Sequence, residues 1–244
     1  MSNSLQTNAE IAPVPVQTEM PAGEKRQRWF EVGLVLLAAC GSSFLNALFI
    51  LRNGPNSVPQ NSNQRWLIGL FQEVISLLLL GYVLSRRGLG FKDLGLRWRL
   101  KDAGVGLLVA GISYVAYVLG SMLVHSVHYA IFGNFAKSLS GRGFFAHPPV
   151  AAIPFALLNP FFEELIVRAY LMTEVWELTG SSFLAVAVSV AVQSSYHVYY
   201  GWAGAISLSF PFLIFAVYYA RSRRILPVIV AHGISDIYGI VHLW

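Results

Sequence analysis

The sequence predicts an all-α membrane protein, a polytopic bundle of seven or eight transmembrane helices. Its 244 residues are 55% hydrophobic and only 12% charged, whereas an ordinary soluble domain has about 25% charged residues. Apolar runs near the roughly 20 residues that a membrane-spanning helix needs recur from residue 30 to the C-terminus. The net charge of +5 is interpreted as a topology signal and as contact with anionic lipid. Nucleic acid is therefore not expected as a partner, and the lipid bilayer is.

The apolar runs divide the chain into a tail and one membrane-embedded domain. Residues 1–28 are mostly polar and contain three prolines, which predicts a disordered cytoplasmic tail. Residues 29–244 are predicted to form a single domain. Its seven candidate spans are residues 30–51, 66–84, 103–132, 150–172, 181–199, 201–219 and 225–243. Pro154, Pro160 and Pro211 predict broken helices, and so an eighth short segment.

The basic residues and the single cysteine constrain topology and chemistry. Lys and Arg are more frequent on alternate flanks of the predicted spans, which predicts a multi-pass protein of the cell membrane with a cytoplasmic N-terminus. Cys40 is the only cysteine, so neither an intrachain disulfide nor a cysteine-based zinc cage is possible.

The stretch from residue 159 to residue 172 places three ionisable groups inside an apolar run. Glu164 and Arg168 are separated by four residues and are expected to form a structural ion pair on one helix face. Glu163 points about 100° away around the helix, and its neighbours along that face are Ile166 and Val167. Glu163 therefore has no local partner, and a lone buried carboxylate suits a general base.

Polar residues also interrupt the predicted spans elsewhere. Residues 193–197 end with His197, and residues 232–236 place His232 and Asp236 on one helix face. Asn159 followed by proline predicts a helix start within the membrane. In the second span, Gln72 and Glu73 are predicted to form a pair that hydrogen-bonds to a neighbouring helix.

One acid and two histidines are the components of either a carboxylate-activated water or a metal-bound one. The soluble zinc signature His-Glu-x-x-His is absent from the sequence, and so is the nucleophile elbow Gly-x-Ser-x-Gly. A water nucleophile is what remains.

The order of these motifs resembles the CPBP family, the CAAX-protease and bacteriocin-processing (abortive-infection) family of intramembrane endopeptidases. The motifs are Glu163-Glu164-x-x-x-Arg168, a later His197, and His232-x-x-x-Asp236. The resemblance covers residues 150–244 and implies that the catalytic core lies there. Two positions depart from the family pattern: residue 193 is Gln where Phe is common, and residue 236 is Asp where many members have Asn.

The resemblance implies an endopeptidase that hydrolyses a peptide bond of a membrane-associated peptide or protein. Its catalytic residues would be Glu163, Glu164, His197, His232 and Asp236. Glu163 would activate water, with Glu164 as its ion-paired neighbour, and His197 would orient that water. His232 and Asp236 would stabilise the tetrahedral intermediate. Because a carboxylate cannot donate to an oxyanion unless it is protonated, Asp236 is expected to orient His232 or to bind a metal.

Two questions stay open at the level of sequence. Glu163, His197 and His232 are equally compatible with three zinc ligands and with a metal-free glutamate mechanism. The alternative function is non-catalytic: a proton-coupled carrier, or a scaffold that binds a partner's transmembrane helix. The absence of a visible internal repeat weakens the carrier hypothesis, and the oligomeric state is not predicted.

Overall fold

The computed structural model describes residues 20–54, 62–134 and 150–241, and within these ranges it contains helices and no strand. The α-helices of the described residues are α1 (Ala22–Asn53), α2 (Asn63–Ser85), α3 (Leu100–Phe132), α4 (Ala152–Glu163), α5 (Leu171–Thr179), α6 (Ser182–Tyr196), α7 (Trp202–Ser222) and α8 (Leu226–Val241). A π-helical segment, Glu164–Tyr170, joins α4 directly to α5, and a 3-10 turn, Val198–Tyr200, follows α6.

Four of the described helices are long and apolar enough to cross a membrane, namely α1, α2, α3 and α7. Helix α6 is apolar but has only 15 residues. The expectation of an all-helical chain with membrane-spanning helices is thus met in the described residues, while the number of seven or eight spans stays a prediction.

The structure differs from the sequence-based prediction at the start of α1 and at the predicted proline breaks. Helix α1 begins at Ala22, so the last residues of the predicted tail are helical, while residues 1–19 of that tail lie outside the described residues. The predicted helix start at Asn159 and Pro160 is wrong, because α4 begins at Ala152 and continues through Pro160. Neither Pro160 nor Pro211 breaks its helix; a proline removes one backbone donor, and packing against neighbouring helices offsets that loss.

A network of charged side chains ties three separate parts of the chain together at one end of the bundle. Arg28 at the start of α1 donates to Glu174 in α5 at 2.8 Å and also binds Glu177. Arg87, which follows α2, donates to Glu174 at 2.7 Å and to Glu31 in α1. The acidic residues of α5 therefore lie beside the basic residues that open α1 and follow α2.

The connection between α7 and α8 lies at the same end. Arg223 donates to Thr173 in α5 at 3.1 Å, and its guanidinium lies 4.4 Å from the ring centre of Trp176. Arg224 pairs with Asp102 in the first turn of α3. Further along the bundle, α4, α6 and α8 present their polar residues to one another.

Helix α3 packs closely on α7 and α8 because two of its residues lack side chains. A Cβ atom at Gly106 would lie 2.6 Å from Cγ1 of Val230 and 3.1 Å from the carbonyl oxygen of Pro227. A Cβ atom at Gly120 would lie 2.3 Å from the ring of Phe210. Small residues allow this close approach of helices, which is typical of packing in membranes.

We expect Gly106→Ala to lower the thermal unfolding temperature of the detergent-solubilised protein, because overpacking a tight contact costs about 1–3 kcal/mol. Gly111→Ala on the same helix is the matched control, since a Cβ atom there meets nothing within 4 Å. The control should match or exceed the wild type, because alanine is favoured over glycine in a helix by roughly 0.5–1 kcal/mol. Equal melting temperatures for the two variants would contradict the close packing of α3 on α8.

Candidate active site

The π-helical segment Glu164–Tyr170 is the local structure from which the site is built. All seven of its residues are buried. At its end the amide N–H of Leu171 donates to the carbonyl oxygen of Ile166, five residues earlier. Such segments are rare and occur frequently at functional sites. The segment turns Arg168 and Glu164 toward α6 and α8.

Arg168 is completely buried, and polar groups surround its guanidinium. Nη1 donates to Oγ of Ser189 at 2.9 Å, and Nη2 donates to Oε1 of Gln193. Nε lies 3.5 Å from Oε2 of Glu164, so the predicted ion pair is present. The face of the guanidinium lies 5.6 Å from the ring centre of Phe212. These contacts offset much of the cost of burying a charge.

Glu163 receives hydrogen bonds from two neutral side chains of α6. Its Oε2 accepts from Nε2 of Gln193 at 2.7 Å and from the hydroxyl of Tyr196 at 3.0 Å. The prediction that Glu163 has no local partner on its own helix is confirmed, because both donors lie about 30 residues later in the chain. Gln193 binds Glu163 and Arg168 at once and connects the two groups.

His232 in α8 lies between two carboxylates, that of Glu164 in the π-helical segment and that of Asp236 one turn later in α8. Its Nδ1 lies 2.8 Å from Oε1 of Glu164, and its Nε2 lies 3.5 Å from Oδ1 of Asp236. Asn159 in α4 donates to Oδ2 of Asp236 at 3.3 Å. Because an ionised carboxylate only accepts hydrogen bonds, Nδ1 of His232 donates to Glu164, and in the protonated ring Nε2–H would point toward Asp236 as well.

His197 lies at the C-terminal end of α6, where its Nδ1 is 2.8 Å from the carbonyl oxygen of Gln193. An Nδ1–H donor to that carbonyl leaves Nε2 as an acceptor, which is the state that a water-orienting histidine needs. Aromatic rings surround the imidazole, namely those of Tyr196, Tyr199, Tyr200 and Phe212.

The structure thus brings the predicted residues into one polar network that runs from α6 through α4 and the π-helical segment to α8. Sequence reasoning missed the structural contributions of Ser189, Gln193 and Tyr196. A signal for them was present, because their spacing of four and three residues puts all three on one face of α6. That face is the one that meets Glu163 and Arg168. Asn159, predicted as a helix cap, instead binds Asp236.

The side chains do not fit the alternative zinc set of Glu163, His197 and His232. Among residues 20–54, 62–134 and 150–241, no group of three or more His, Cys, Asp or Glu side chains is arranged to hold a metal ion. The mechanism proposed for these residues therefore uses no metal.

Comparison with known families identifies the segment that carries this network. Residues 145–238 match the family described as type II CAAX prenyl endopeptidase Rce1-like, whose domains belong to the CPBP family. The match extends from the start of α4 into the last turns of α8 and includes every residue of the network. No curated protein and no solved structure matches the chain.

We expect Glu164→Gln and Arg168→Met to destabilise the protein strongly when made singly, by about 3–5 kcal/mol, because each leaves a buried charge without its partner. The double variant should lose less stability than the sum of the losses in the two single variants. Thermal unfolding of the three variants in detergent measures this coupling. Strictly additive losses would contradict the ion pair, and full turnover in the double variant would restrict the pair to a structural role.

Proposed function

Since residues 145–238 match the Rce1-like endopeptidases of the CPBP family, we propose that the protein is an intramembrane endopeptidase in which Glu163 activates the attacking water. The observation that supports this role most directly is the contrast between the two adjacent acids. Glu164 faces Arg168 and His232, whereas Glu163 is held by the neutral donors Gln193 and Tyr196. Neutral donors orient a carboxylate without neutralising its charge, which suits a general base.

The proposed reaction begins with a water molecule between Glu163 and His197. Oε2 of Glu163 takes both hydrogen bonds from α6, which leaves Oε1 for the water. The water oxygen attacks the carbonyl carbon of the substrate and gives one proton to Oε1 of Glu163, while the carbonyl π electrons move to the carbonyl oxygen. The second O–H of the water stays on the attacking oxygen and donates a hydrogen bond to Nε2 of His197. Glu163 then delivers the proton to the leaving nitrogen as the C–N bond breaks.

Stabilisation of the tetrahedral intermediate is assigned to His232. Its Nδ1 is held by Glu164 at 2.8 Å, but its Nε2 makes only a 3.5 Å contact with Asp236. The Nε2–H is thus the donor that a developing oxyanion can recruit. Asp236, which itself receives a hydrogen bond from Asn159, then keeps the imidazole oriented and does not donate to the oxyanion.

The substrate class follows from the membrane setting and from the name of the matching family. A membrane-associated peptide or protein is the proposed substrate, and a farnesylated peptide ending in a CAAX sequence is the first probe to use. The same peptide without the farnesyl group tests whether the lipid contributes to recognition. The alternation of basic flanks supports a location in the cell membrane with a cytoplasmic N-terminus.

Glu163→Gln is expected to lower turnover of the farnesylated CAAX peptide by about 100-fold or more, because it keeps the shape of the side chain and removes the base. Its melting temperature should stay close to that of the wild type. The matched control is Glu177→Gln. Glu177 lies at the opposite, charged end of the bundle, so this variant should cleave the peptide at the wild-type rate.

All three proteins are assayed in the presence of a metal chelator, where wild-type turnover is expected to persist. Normal cleavage by a folded Glu163→Gln variant would contradict the role of Glu163. Reversible loss of wild-type turnover in chelator would contradict the metal-free form of the mechanism.

A further inference from the structure

Glu73 in α2 is a buried acid that the mechanism above does not use. It is only 3% exposed, and neither of its carboxyl oxygens has a hydrogen-bond partner among the described residues. The adjacent Gln72 behaves as predicted, since it accepts from Ser42 at 2.7 Å and donates to backbone carbonyls of α1. The expected pairing with a neighbouring helix is therefore correct for Gln72 and wrong for Glu73.

Packing between α2 and α4 places Glu73 level with the site. The rings of Trp66 and Phe155 meet edge to face with centres 5.0 Å apart, and a Cβ atom at Gly69 would lie 2.8 Å from the same phenylalanine ring. Both helices continue in the same direction from this contact. One helical turn further on, α2 carries Glu73 and α4 carries Asn159.

Helix α8 packs on the same stretch of α4. A Cβ atom at Gly233 of α8 would lie 3.6 Å from Cγ of Pro160, and Asn159 donates to Asp236 at 3.3 Å. Helices α2 and α8 therefore flank α4 at this level, and in the described parts of the chain they make no substantial contact with each other. A peptide that lies along α4 between the two helices would pass both Glu73 and Asp236.

A buried carboxyl group without a donor is costly inside a membrane bundle. A peptide that enters the bundle brings the complementary need, because every backbone N–H withdrawn from water must find an acceptor. Glu73 provides such an acceptor about one helical turn from the proposed base Glu163, where the substrate has to be extended for cleavage. The Glu73 carboxyl group gains a donor and the peptide N–H gains an acceptor if the peptide lies between α2 and α8.

We propose that Glu73 is a substrate-binding residue, and that the peptide substrate lies between α2 and α8 with a backbone N–H donated to the Glu73 carboxyl group. This inference rests on the proposed function of the site. It assigns α2, which lies outside the segment matched by the family, a direct part in substrate recognition. It also gives the substrate a side of entry into the bundle.

The test compares Glu73→Leu, Glu73→Gln and Gln72→Leu in the full-length, detergent-solubilised protein, with the farnesylated CAAX peptide as probe. Glu73→Leu is expected to raise KM on the order of tenfold, as for loss of one buried hydrogen bond, with a smaller effect on kcat. Glu73→Gln keeps an acceptor oxygen and should recover part of the loss. Gln72→Leu controls for loss of a polar group from α2, and its KM should equal that of the wild type.

Thermal unfolding supplies a readout that needs no substrate. If Glu73 serves binding alone, Glu73→Leu should melt at the same temperature as the wild type or higher, because it removes an unsatisfied polar group. Gln72→Leu should melt lower, because it loses hydrogen bonds to α1. A lower melting temperature for Glu73→Leu would overturn the proposal by revealing a structural role.

The kinetic outcomes separate this inference from the proposed function. Wild-type cleavage with an unchanged KM in Glu73→Leu would overturn the inference and leave the proposed function intact. An equal rise in KM for Glu73→Gln and Glu73→Leu would overturn the proposed hydrogen bond, because it would show that binding needs the charge of Glu73. Failure of the wild type to cleave the peptide, with or without its farnesyl group, would overturn the proposed function and the inference with it.

Discussion

The rest of the site depends on the polar contacts that the buried guanidinium of Arg168 makes. A fully buried charge in a membrane bundle is retained only if its surroundings satisfy it. Here the π-helical segment supplies Glu164, and α6 supplies Ser189 and Gln193. Satisfying Arg168 therefore fixes the position of α6 relative to α4. The same constraint brings Gln193 to the carboxylate of Glu163.

The two adjacent acids are kept distinct by the groups that face them. Glu164 lies between a guanidinium and an imidazole, so its charge is used within the protein. Glu163 faces an amide and a phenol, and so its carboxylate is oriented while its charge stays available to a reacting molecule. Helical geometry makes this possible because neighbouring residues point about 100° apart. Two identical side chains thus meet different environments one residue apart.

Local spacing in the sequence was sufficient for part of this account. The apolar runs predicted the helices, and separations of four residues predicted both the Glu164–Arg168 pair and the proximity of His232 and Asp236. The helix start predicted at Asn159 was wrong, because a proline within a packed membrane helix need not end it. Contacts between helices were not predictable in the same way, since they depend on which faces meet. The donors to Glu163 and the position of Glu73 opposite α8 belong to this second group.

Gln193 is proposed to transmit the fixed position of Arg168 to the base, and a comparison of Gln193→Leu with Ser189→Ala tests this role. Each variant removes one hydrogen bond from Arg168, and each should lower stability by about 1–3 kcal/mol. Only Gln193 also contacts Glu163. The account predicts that Gln193→Leu lowers the single-turnover cleavage rate by about tenfold or more, a barrier increase of at least about 1.4 kcal/mol, while folded Ser189→Ala cleaves near the wild-type rate. Equal cleavage rates in the two variants would contradict it.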